Sequence, residues 1–159
     1  MHISKIVLKN WKNFKGIDVN LSKRMFIVGP NASGKSNLID VFRFLYDIVK
    51  PGGGLKSAIQ TRGGFATLCC LASNKTEDIE IEITLSGESI SWIYSIGINE
   101  QESLSYEKVF KDGQQIIDRP DKDDISDQLL PMTANNRWIG SAYLYNSIYN
   151  HTSNNMKSI

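Results

Sequence analysis

The run Met25-Phe26-Ile27-Val28-Gly29-Pro30-Asn31-Ala32-Ser33-Gly34-Lys35-Ser36-Asn37-Leu38 decides how this chain is read. Four apolar residues lead into a glycine-rich loop that closes on Lys-Ser. Beyond it Leu38, Val41, Phe42, Leu45, Ile48 and Val49 recur at helical spacing, with Asn37, Asp40, Arg43, Asp47 and Lys50 on the opposite face. Pro51-Gly52-Gly53-Gly54 stops that helix. A short continuous apolar run predicts a strand covered on both faces, here Met25–Val28. The predicted order is therefore strand, loop, helix.

Gly29 to Ser36 fits the spacing G-x-x-x-x-G-K-[ST] at every fixed position. Glycines at both ends allow backbone angles and close approach that a side chain would block. Successive N–H groups can then curl around a phosphate at the positive end of the following helix. Lys35 is placed to reach the β- and γ-phosphates, and the Ser36 hydroxyl to reach a magnesium ion bridging them. The expected ligands are ATP and Mg²⁺. Gly29, Pro30, Asn31, Ala32, Ser33, Gly34, Lys35, Ser36 and Asn37 are the candidate binding residues, Ser36 also for the metal. Beyond Lys35, no catalytic group is identified.

Working outward, Ile3–Leu8 reads as a first strand, and Ile17, Val19 and Leu21, alternating with polar residues, as a half-buried second one. Asn10 to Gly16 is the turn between them. Residues 51–76 are weakly patterned, with turns at Gly63-Gly64 and Ser73-Asn74. Ile79, Ile81, Ile83 and Leu85 alternate with polar residues, Ser86-Gly87-Glu88-Ser89 turns the chain, and Ile90 to Ile98 alternates back. Leu104–Phe110 and Gln114–Asp118, joined at Asp112-Gly113, predict a second hairpin. A short helix is expected from Asp121–Asp124 to before Pro131, and another carrying Trp138, Ala142, Tyr145 and Tyr149. The expected organisation is one domain over 1–150, made of a core unit (1–50), a connector (51–76), hairpins (77–119) and helices (120–150), with a polar tail at 151–159.

The chain has 159 residues, 41% hydrophobic and 22% charged, an ordinary soluble composition. It lacks a signal-peptide pattern and any apolar stretch of the roughly 18 residues a membrane helix needs, so the expected compartment is the cytoplasm and no membrane contact is expected. Its net charge of +1 is unevenly spread: residues 1–50 hold nine Lys/Arg against three Asp, whereas the rest is net acidic. A basic first third suits polyphosphate or DNA, or is simply the solvated face of strands. Cys69 and Cys70 read as small buried residues. His2 and His151 have no ligand-spaced partner, and Asp121, Asp123, Asp124 and Asp127 read as a solvated helix start.

The fuller run Phe26–Asp40 resembles the ABC-type ATPases of the SMC, RecF and OLD-nuclease kind. Those open with a strand, an Asn-Phe-like turn and a second strand, then a G-P-N-G/A-S-G-K-S-N loop and helix. Asn10-Trp11-Lys12-Asn13-Phe14 stands at the place of that turn, and Arg62-Gly63-Gly64 looks like the middle of OLD-like heads. The resemblance is specific over residues 1–50 and loose over 51–120. It implies an α/β P-loop NTPase fold, the N-terminal lobe of an ABC-type head, with a mixed sheet around the P-loop helix plus antiparallel hairpins. It also implies a supporting role near adenine and ribose for Trp11, Lys12, Asn13 or Phe14. The alternative is that Trp11 and Phe14 are packing aromatics.

Such ATPases also use an apolar strand ending in Asp-Glu, a signature Ser-Gly loop and a switch histidine. No apolar run here ends in Asp-Glu, and Leu85-Ser86-Gly87-Glu88 falls where a hairpin turn is expected. The resemblance therefore implies an ATP-binding module, incomplete for hydrolysis alone, that pairs with itself or with a complementary ATPase half, with DNA as a further partner and DNA repair or anti-phage defence as the setting. A nucleotide-holding regulatory module is the alternative, ahead of a transport ATPase subunit or a small-molecule kinase. The reading also expects the chain to be the N-terminal half of a head, either a fragment or a truncated product.

Overall fold

The computed structural model describes residues 1–73 and 76–119. Six strands form one sheet: β1 (His2–Trp11), β2 (Phe14–Asn20), β3 (Ile79–Ser86), β4 (Ser91–Ile98), β5 (Leu104–Lys111) and β6 (Gln114–Arg119). Their order is β2-β1-β3-β4-β5-β6, and every described pairing is antiparallel. Three helices lie between β2 and β3: α1 (Lys35–Val49), α2 (Leu55–Gln60) and α3 (Phe65–Leu68).

The alternation read in the sequence sets the sheet's inner face. Ile79, Ile81, Ile83 and Leu85 of β3 are all buried, and so are Trp92, Tyr94, Ile96 and Ile98 of β4. With Ile6 and Leu8 of β1 they form one core with Leu38, Val41, Phe44 and Ile48 of α1. The buried stripe of α1 is narrower than expected and shifted: Phe44 is fully buried, whereas Phe42, Leu45 and Val49 are only partly so. Both hairpins form where expected: Ser86 ends β3, laddered to Ser91, and residues 87–90 turn the chain into β4.

The strand expected over Met25–Val28 is not formed. Phe26 is 92% and Val28 88% exposed, and the segment has no ladder partner among the described residues. A continuous apolar run becomes a central strand only where other strands flank it, and no described strand lies alongside this one. Without it, no parallel pairing exists in the described sheet. The connector holds two short helices rather than irregular chain. Each starts at a glycine: Gly54 at φ 137° before α2 and Gly64 at φ 89° before α3. The expected helices beyond residue 119, the Asp121–Asp127 cluster and His151 lie outside the described residues.

Candidate functional site

The loop Gly29–Gly34 delivers the chain into the N-terminus of α1. Ala32 sits at φ 63°, and Gly34 is the N-cap at φ 94°, ψ 4°. A β-carbon on Gly34 would collide with the Asn13 side chain and with the Phe14 ring, whose Cζ would be 2.9 Å away. Gly34 is thus required twice, for its left-handed backbone and for the close approach of the β1–β2 turn. The 15-residue helix has no side-chain cap and no acidic residue in its first turn. Its leading N–H groups are left without a capping side chain, the arrangement that suits an anion.

Lys35 folds back over this loop. Its Nζ donates to the Gly29 carbonyl (2.7 Å), the Pro30 carbonyl (2.5 Å) and Ser33 Oγ (3.3 Å). The loop's own carbonyls and the Ser33 hydroxyl thus hold the ammonium against the loop. Ser36 is exposed on the first turn of α1 and Asn31 and Ala32 are exposed on the loop. Glycine backbone, uncapped amides, one ammonium and one hydroxyl make a donor set that fits a triphosphate and a hard cation.

The turn expected beside the nucleotide lies against the same helix start. Asn37 Nδ2 donates to Asn13 Oδ1 at 2.8 Å, and Trp11 Nε1 donates to the Asn37 carbonyl at 2.9 Å. The Trp11 ring itself is fully buried, 5.2 Å from the Phe44 ring centroid. Of the alternatives, packing therefore describes the indole ring, while its N–H and Asn13 bind the turn to α1. Lys12 points along the helix and donates to Asp40 Oδ2 at 2.6 Å.

Asp40 belongs to a network the sequence did not disclose. Arg62, just after α2, places Nε 3.1 Å from Asp40 Oδ2 and Nη2 3.3 Å from Oδ1. The same guanidinium reaches Asp47 Oδ2 at 2.9 Å, donates to the Ala58 carbonyl and lies 5.3 Å from the Phe44 ring centroid. Burial pushes the Asp40 carboxyl up, but bonds from Arg62 and Lys12 outweigh it and hold the group below the usual carboxylate range. Asp40 and Asp47 stand two helical turns apart, so they share a face. Only their spacing hinted at a common partner, since Arg62 is remote in sequence. A second remote contact comes from Glu102, in the β4–β5 connection: it accepts from the Phe65 N–H at 3.1 Å and from Gln60 Nε2 at 2.5 Å, clasping the segment that carries Arg62.

The family profile described as "AAA domain, putative AbiEii toxin, Type IV TA system" matches residues 24–137, well over half of the chain. The chain belongs to that family. Among curated relatives of this AAA-family module, the chromosome partition protein Smc of Methanocaldococcus jannaschii is 48% identical over 44 residues, 27% of this chain and 4% of that protein. Endonuclease GajA of Bacillus cereus is 40% identical over 47 residues, 30% of this chain and 8% of that protein. The matched stretches are thus small parts of much longer proteins. Two solved structures share the fold. One comes from a study of ATP-driven dimerization and DNA-stimulated activation of SMC ATPases (TM-score 0.50, 20% identity, 91% of this chain and 90% of that one). The other is an SMC head bound to the C-winged helix domain of ScpA (TM-score 0.53, 22% identity, 74% of this chain and 37% of that one). The AAA-family module therefore has the fold of an SMC ATPase head lobe and is an ATPase-family module related to the SMC and OLD proteins, as its loop implied. Among the described residues no helix is long and apolar enough to cross a membrane.

Proposed function

We propose that this module binds ATP with Mg²⁺ through Gly29–Asn37. The observation that carries the reading is Lys35, folded onto the loop carbonyls at the uncapped start of a 15-residue helix whose N-cap glycine is left-handed. The loop amides and helix dipole take the phosphates, Lys35 exchanges its loop carbonyls for phosphate oxygens, and the Ser36 hydroxyl turns to the cation. Magnesium, when bound, neutralises charge on the β- and γ-oxygens. The turn Trp11–Phe14 walls the flank of the loop where the nucleoside lies.

The same reading takes DNA as the wider target, with repair or anti-phage defence as the setting. Two relatives that match over 44 and 47 residues are named for chromosome partition and for endonuclease action, and the compartment consistent with that is the cytoplasm. A clamp closed by ATP, formed with a second copy or a complementary ATPase half, fits the exposed apolar run Met25–Val28. Binding rather than turnover is then this module's own act. A regulatory holder of nucleotide is the second reading, favoured by Leu85–Glu88 closing a β3–β4 hairpin, with Ser86 laddered to Ser91.

Calorimetric titration with Mg-ATP, paired with phosphate release, tests the proposal on wild type and Lys35→Ala. Loss of one charge-assisted contact predicts affinity weakened by roughly ten- to a hundredfold in the variant. Equal affinity in both proteins would refute it, and fast Lys35-dependent phosphate release would refute the binding-only part.

A further inference from the structure

We propose that Asp40 is a positioning residue for the nucleotide, holding the turn Trp11–Phe14 in place through Lys12. The proposal rests on reading Gly29–Asn37 as the triphosphate site, and extends it to residues remote from that loop.

The turn is unusual in its backbone. Asn10 has φ 54° and Lys12 φ 50°, both left-handed and both with a β-carbon. Each such residue is strained and persists only when its surroundings over-determine it. The surroundings here are identifiable. Buried Asn10 accepts from the Cys70 N–H (2.9 Å) and donates to the Glu77 carbonyl (2.6 Å), fixing the β1 side. On the helix side, Trp11 and Asn13 bond to Asn37, and Lys12 reaches Asp40. Of these helix-side ties, the Lys12–Asp40 ion pair is the charge-assisted one, with side chains only 22% and 18% accessible.

Asp40 does not wait for Lys12 to be oriented. Arg62 contacts both its oxygens, and Arg62 is itself fixed by Asp47, the Ala58 carbonyl and the Phe44 ring. The carboxylate is therefore a preset post to which the turn is tethered. Asn13 and Phe14 on that turn crowd Gly34 at the loop's edge. Loosening the tether moves the wall that meets whatever extends past the phosphates, and leaves the phosphate cradle itself intact.

The full chain is titrated by calorimetry with Mg-ATP and with Mg-tripolyphosphate, for wild type, Asp40→Asn, Lys12→Met and the double variant. In Asp40→Asn, ATP affinity is expected to fall about tenfold while tripolyphosphate affinity stays within about twofold. The double variant should bind ATP no more weakly than the weaker single one, because one removes what the other acts through. Equal losses for both ligands, additive losses in the double variant, or unchanged ATP affinity would each overturn the proposal. Asp40→Glu takes the place of the asparagine variant in the cycle should that variant not give a native circular dichroism spectrum. A wild type that binds neither ligand would instead remove the triphosphate reading, and with it this one.

Discussion

The Nζ of Lys35 lies 2.7 Å from the carbonyl oxygen of Gly29, so the loop's cation is held by the loop's own backbone. A charge kept in place this way needs no reorganisation of the helix to meet an anion. The geometry also leaves Gly34 little room to change. Gly34→Ala adds a β-carbon against Asn13 and Phe14 at a left-handed φ and is expected to cost more than about 2 kcal/mol in urea unfolding. Gly52, at φ 72° with nothing within 4 Å of its would-be β-carbon, is the control: Gly52→Ala should cost only about 1 kcal/mol.

Arg62 ties two turns of α1 to the segment after α2. Arg62→Ala leaves Asp40 and Asp47 each short of a partner and is expected to lose about 2–3 kcal/mol. Arg62→Lys keeps the charge but not the two-pronged geometry, and should recover less than half of that. The pH dependence follows from Asp40, whose carboxyl is depressed in the fold. Its contribution is complete above the ordinary aspartate range and is lost as pH falls through the lower, folded value. Stability measured between neutral pH and pH 3 should therefore fall less steeply in Arg62→Ala than in wild type.

Glu107 titrates in the opposite sense. It is fully buried on the inner face of β5, with Oε1 accepting from the Tyr94 hydroxyl at 3.0 Å and Oε2 without a hydrogen-bond partner among the described residues. Burial raises its pKa, and the Tyr94 bond and the Arg119 charge offset this only in part. An acid with a raised folded pKa is stable when protonated, so the fold loses stability as pH climbs from the ordinary glutamate range through the folded value. Glu107→Gln keeps an acceptor for Tyr94 without the charge. It should raise stability by about 1 kcal/mol at pH 8 and flatten the profile above pH 5. A less stable variant with an unchanged profile would contradict this.

Met25–Val28 supplies a prediction about association. Phe26 and Val28 are almost wholly exposed, so Phe26→Asp with Val28→Asp should change unfolding stability by less than about 0.5 kcal/mol. Their effect should instead appear in light scattering, as a shift from self-association toward monomer. A wild type already monomeric at high concentration with Mg-ATP, and indistinguishable from the variant, would contradict the docking reading.

Much of this was legible in the residues. The period-two alternation of Ile79–Leu85 and Ile90–Ile98 named both strands and the buried face, and the spacing of Leu38, Val41 and Ile48 named α1. Local rules suffice where a segment's neighbours are adjacent in sequence, as in hairpins. They failed at Met25–Val28, because an apolar run states a need for cover and not its presence. They were silent on α2 and α3, too short to show a period and held by Glu102 from another part of the chain. The loop was readable residue by residue, whereas Asp40 and Arg62 looked like an ordinary polar face and a turn. Ion pairs across 22 residues leave no spacing to read.

The central claim is that the main chain from Ala32 to Asn37 grips the phosphates. Amide ¹⁵N–¹H spectra of the full chain, recorded as Mg-ATP is added, test it most directly. The largest shifts should fall on Gly34, Lys35 and Ser36, with smaller ones on Trp11–Phe14 and none on β5 and β6. Perturbation confined to the outer strands, or no change at the glycine loop at saturating nucleotide, would contradict the account.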